Sequence, residues 1–75
     1  MYHTIEFGAD MWVDLERSPK QPLERIQLRR GTRVRAQVRP HVIETLAGPT
    51  EVADLFFEDG TAARDIPFRR FAFAE

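Results

Sequence analysis

The chain has 75 residues, with eleven basic and twelve acidic side chains, two histidines and no cysteine. That is the size of one small domain whose core covers only about 60% of the unfolded surface. The lack of cysteine excludes a disulfide framework, a thiolate metal site and a thiol nucleophile. The net charge of −1 conceals a separation along the chain: residues 17–41 carry eight basic residues against Glu24 alone, net +7, while the remainder carries eleven carboxylates against Arg64, Arg69 and Arg70, net −8.

Residues 2–7 alternate, with Ile5 and Phe7 on one face and Tyr2, Thr4 and Glu6 on the other. They read as a strand with no charged leader and no long apolar run, so neither a signal peptide nor a membrane span is expected. Gly8-Ala9-Asp10 reads as a turn. Residues 11–16 then alternate strictly, Met11, Val13 and Leu15 against Trp12, Asp14 and Glu16. The spacing predicts a hairpin over residues 2–16.

Ser18-Pro19-Lys20-Gln21-Pro22 admits two readings. Ser18 with Gln21 resembles a capping box with Pro19 at the first helical position and Gly31 as a stop. Against this, Pro22 would remove an early helical N–H. On a wheel of roughly 100° per residue, Leu28 also falls nearly opposite Ile26. A loop over 17–22 followed by a strand from about residue 23 to 29 is favoured.

Arg30-Gly31-Thr32 is a turn. In Arg33–Arg39, Val34, Ala36 and Val38 point inward, while Arg33, Arg35, Gln37 and Arg39 point outward. Pro40 marks a bulge or an edge, Val42–Thr45 continues the strand, and Ala47-Gly48-Pro49 reads as a loop. Residues 51–64 then form a hairpin about Asp59-Gly60, read as a type I′ turn. In that register Phe57 faces Ala62 and Leu55 faces Arg64. Ala53, Leu55 and Phe57 share a face with Ala62 and Ile66, and Phe56 lies on the other face, needing a cover. After Ile66-Pro67, the segment Phe68–Ala74 alternates again through Phe71 and Phe73.

Leu28–Ala36, with Gly31 at its turn, looks like the opening strand of the SH3-like small barrels, particularly the Tudor and KOW-type modules. Val52–Phe57 with Glu58-Asp59-Gly60-Thr61 resembles their central hairpin, and Ile66-Pro67-Phe68 their approach to the last strand. The resemblance covers roughly residues 26–73 and leaves the N-terminal hairpin outside it. Six or seven short strands with regularly spaced turn signals predict a single all-β domain over residues 1–75, and with this resemblance a small SH3-like barrel or a strongly bent antiparallel sheet with an extra N-terminal hairpin. Only Phe56 and Phe68 stand where Tudor modules gather an aromatic cage, so no methyl-ligand pocket is implied.

Arg29, Arg30, Arg33, Arg35 and Arg39 form the main candidate binding set, since guanidinium groups suit phosphate, carboxylate or an interface. Cross-strand pairing with Glu6, Asp14, Glu16, Glu44, Glu51 or Asp54 is their bland alternative. Trp12 and Phe56 are candidate apolar anchors. His3 and His41 fall in no metal or triad pattern, and His41 is expected in solvent or on a carbonyl. Asp10, Asp14 and Glu16 read as a solvated acidic face. Ser18, the sole serine, has no spaced base. The expected function is therefore a non-catalytic, cofactor-free cytoplasmic interaction module, binding a protein partner or a second copy of itself. Nucleic-acid binding through the five arginines is the alternative.

Overall fold

The computed structural model describes residues 1–75 and contains seven strands: β1 His3–Phe7, β2 Met11–Glu16, β3 Glu24–Leu28, β4 Arg33–Thr45, β5 Gly48–Phe57, β6 Ala62–Pro67 and β7 Phe71–Phe73, with one 3₁₀ turn at Phe68–Arg70. All pairings are antiparallel, and the strands form one sheet in the order β3-β2-β6-β5-β4-β1-β7. The sheet is strongly curled, a half-barrel rather than a closed one, so β3 and β7 remain edges. The architecture is all-β, as the alternation and turn chemistry predict. No helix is long and apolar enough to cross a membrane.

The concave face is the core. Ile5, Phe7, Val13, Leu15, Ala36, Ala53, Leu55, Ala63, Ile66 and Phe71 are buried against one another. One continuous row, Leu15–Ala63–Leu55–Val38, crosses four strands by direct pairing. Ala63 in this row, with Ala36 and Ala53 elsewhere in the core, lets the sheet bend tightly, because bulky neighbours on the inside of a curl would collide.

Three local expectations change. First, β1 and β2 do not form a hairpin: β1 lies between β4 and β7, and β2 between β6 and β3. Alternation specifies which face a residue takes, but not which strand lies beside it. Here the Phe7 N–H donates to the Thr32 carbonyl at 3.0 Å and the Gly8 N–H to the Arg70 carbonyl at 2.9 Å. The chain leaving β1 is thus engaged by two distant segments.

Second, the Asp59-Gly60 turn is not type I′. Only Gly60 (φ 89°) has positive φ, while Asp59 does not. The Phe57 N–H bonds the Thr61 carbonyl at 2.9 Å and the Gly60 N–H bonds the Phe57 carbonyl at 3.1 Å. The loop is therefore three residues, Glu58–Gly60, with the left-handed residue last. Asp59 keeps a negative φ, and its carboxylate accepts the Thr61 N–H and hydroxyl at 3.0 and 2.6 Å. These bonds hold the Asp59 carboxyl below the usual range. The register moves by one residue, so Phe56 faces Ala62 and Leu55 faces Ala63. Ala63 rather than Ala62 thus joins the core row.

Third, Gly48-Pro49 is strand rather than loop. β4 and β5 pair continuously from Ala36↔Phe57 to Thr45↔Gly48, closed by Leu46-Ala47. Pro40 pairs with Ala53 without a bulge. β1 reaches β4 only up to Ala36, so Pro40 lies where β4 has a free edge on that side. Residues 24–28 are strand, resolving the two readings of 18–30 against a helix.

Candidate interaction surfaces

The antiparallel pairings place the basic strand β4 between acidic neighbours, and the segregated charges interleave. Arg33 donates to Glu6 at 2.8 Å on β1, and Arg35 lies 3.5 Å from Glu58. On the neighbouring strands Arg25 bonds Asp14 and Arg64 bonds both Glu16 and Asp54. These are exposed pairs worth about 0–1 kcal/mol each. Their effect is to divide the arginine row: Arg33 and Arg35 are engaged by carboxylates of this chain, whereas Arg29 and Arg30 have no side-chain partner. Glu44 and Glu51, weighed as partners for the row, pair with none of it.

Arg39 has a different role. Its guanidinium carbon stands 5.2 Å from the centroid of the Phe56 ring, and that of Arg64 stands 5.1 Å from it. Phe56 projects from the convex face between β4 and β6, and an arginine from each neighbouring strand covers it. Cation–π attraction supplies the cover that the sequence leaves open. Trp12 lies on the same convex face but is 62% exposed, beside the exposed Leu23 in a shallow depression that also includes Arg64, Asp65 and Pro67.

Between β5 and β6 a bulge sets Arg64 and Asp65 opposite Asp54. Asp65 adopts φ 57°, and its N–H donates to Asp54 Oδ1 at 3.0 Å. His41 Nε2 lies 3.1 Å from Asp54 Oδ1 and 3.0 Å from Asp65 Oδ1. The imidazole is thus held by two carboxylates rather than by solvent or a carbonyl, and no sequence motif signals it, because His41 and Asp65 stand 24 positions apart with a bulge between them. Burial, the largest influence on Asp54, opposes its ionisation. The Asp65 amide, His41 and Arg64 together outweigh burial and hold the carboxyl below its ordinary range.

One ligand atom from each of these three residues lies within 4.8 Å of the others, so they are the residues that could hold a cation. A cation would have to displace the hydrogen bonds of His41 Nε2 and sit beside the Arg64 guanidinium, 3.2 Å from Asp54 Oδ2. The acidic residues singled out earlier do not converge: Asp10 accepts the Arg30 N–H, Asp14 takes Arg25 and Glu16 takes Arg64. Ser18 Oγ accepts the Lys20 N–H.

On the concave side, the unclosed curl leaves an apolar groove. Leu15, Ile26, Leu28, Val34 and Phe57 line it, and Arg35, Glu58, Asp59 and Thr61 form its polar border. Its volume is ≈ 330 Å³, at the small end of ligand-sized clefts, about 300–1,000 Å³. Alternation marks Val34 as inward-facing, but cannot show that no strand closes over it. No protein-family model matches the chain, and neither does any curated protein or solved structure.

Proposed function

We propose that this chain is a non-catalytic interaction module that binds an extended, apolar protein segment in the groove between β3 and β4. The observation that supports this is the groove itself: the buried Leu15 forms its floor, and Ile26, Leu28, Val34 and Phe57 line its mouth only half-buried. β3 borders it as an edge strand. A segment added along that edge would gain main-chain hydrogen bonds and direct alternate side chains into the groove. Trp12 provides a second exposed anchor on the opposite face. Phe56 is less available, being already stacked with Arg39 and Arg64.

The nucleic-acid alternative has less support, since of its five arginines Arg33 and Arg35 are engaged by Glu6 and Glu58 and Arg39 is stacked on Phe56, leaving Arg29 and Arg30. The non-catalytic reading rests on His41 being committed to Asp54 and Asp65 with no hydroxyl or thiol bonded to it.

Selection from a displayed peptide library against the purified chain tests the proposal. Enriched peptides are expected to carry apolar residues at alternate positions and to lose binding to Ile26→Glu and Val34→Glu variants with unchanged circular dichroism. Binders indifferent to both substitutions would place the interaction elsewhere.

A further inference from the structure

We propose that the segment filling the groove is the β4–β5 hairpin arm of a second copy of this chain; this rests on the groove-binding reading above. β6 reaches β5 only up to Val52, and β1 reaches β4 only up to Ala36. The ribbon from Val42 to Glu51 therefore has no third strand, and its four pairs extend about 13 Å. An isolated two-stranded ribbon is marginal in water. This one carries Val42, 59% exposed, and at its tip a fully exposed Leu46. The accessible surface is 5288 Å², about a tenth above the ~4,700 Å² expected for a compact chain of this mass.

The charges indicate the occupant. Every carboxylate side chain has a hydrogen-bond or ion partner within the chain except two, Glu44 and Glu51, and both lie on the arm. At one end of the groove Leu28 runs directly into Arg29 and Arg30, whose guanidinium groups have no partner, while the two carboxylates on the groove's border are already engaged, Glu58 by Arg35 and Asp59 by Thr61. An apolar knob flanked by unpaired carboxylates thus matches an apolar hole flanked by unpaired arginines. Arm and groove lie at opposite ends of the β4–β5 ribbon, Leu46 at one and Val34 with Phe57 at the other, so a molecule cannot fill its own groove. Two copies side by side and antiparallel bring each arm to the other's groove and close under a two-fold axis.

Sedimentation equilibrium at tens of micromolar is expected to give twice the 8.7 kDa chain mass. Leu46→Glu, Arg29→Glu/Arg30→Glu and Glu44→Arg/Glu51→Arg, all at exposed positions, are each expected to give the monomer mass with unchanged circular dichroism. Mixing the two charge-reversed variants is expected to restore the doubled mass, because each arm then meets a groove of opposite charge. A monomeric wild-type chain, or a dimer indifferent to all three variants, overturns the proposal. The peptide selection remains a separate readout: groove-dependent binders to a monomeric chain would retain the groove and remove only the second copy as its occupant.

Discussion

The backbone N–H of Asp65 donates to Asp54 Oδ1 at 3.0 Å across the one irregularity in the β5–β6 pairing. The bond ties a left-handed residue, φ 57°, to a carboxylate that His41 and Arg64 also contact. The bulge thereby gathers side chains from β4, β5 and β6 at one point on the convex face. Short polar residues tolerate this conformation through local hydrogen bonding, whereas β-branched residues do not.

Substitution at Asp65 should therefore follow backbone chemistry. Asp65→Asn keeps the left-handed preference and is expected to change stability by less than about 0.5 kcal/mol. Asp65→Val is expected to cost about 1–3 kcal/mol. Urea midpoints compared at constant slope separate the two. Equal losses in both variants would mean that the carboxylate, rather than the backbone angle, governs this position.

The depressed titration of Asp54 gives a pH dependence of definite sign. A carboxyl whose folded-state value lies below its unfolded one stabilises the fold above the unfolded value, near 3.9, and loses that contribution as the pH falls through the folded value. Asp54→Asn is expected to be less stable than wild type at pH 7, with the difference closing as the pH is lowered toward 2. Urea titrations of both proteins across that range provide the measurement. A constant gap would show that the ionised form contributes nothing specific.

The arginine cover on Phe56 should behave as two separable contacts. Arg39→Ala and Arg64→Ala are each expected to lose about 0.5–1 kcal/mol of coupling to the ring. Each coupling is measured as a double-mutant cycle against Phe56→Leu. Arg64→Ala should cost more overall, since it also leaves Glu16 and Asp54 without their arginine. Zero coupling in both cycles would mean that the rings and guanidinium groups are merely adjacent.

The residues themselves specified a good deal. Strict alternation in Met11–Glu16 and Arg33–Arg39 assigned inward and outward faces that the structure retains, because the side-chain period of a strand is a local property. Leu28 opposite Ile26 on a helical wheel identified β3 by the same logic. Asp59-Gly60 located a turn, though the bonds to Thr61 made it one residue longer than the dipeptide suggests.

Partner choice was decided only in three dimensions. Whether β1 pairs with β2 or β4, whether Glu6 or Glu44 meets an arginine, and whether anything covers Val34 depend on contacts between segments distant in sequence. The His41–Asp54–Asp65 cluster depends further on a bulge whose strain is repaid by a hydrogen bond across strands. The sequence by itself determined an all-β chain with faces of defined polarity. Tertiary structure decided that the sheet stays open and that its arm has no neighbour, because closure depends on the cumulative bend and register of seven strands rather than on any one of them.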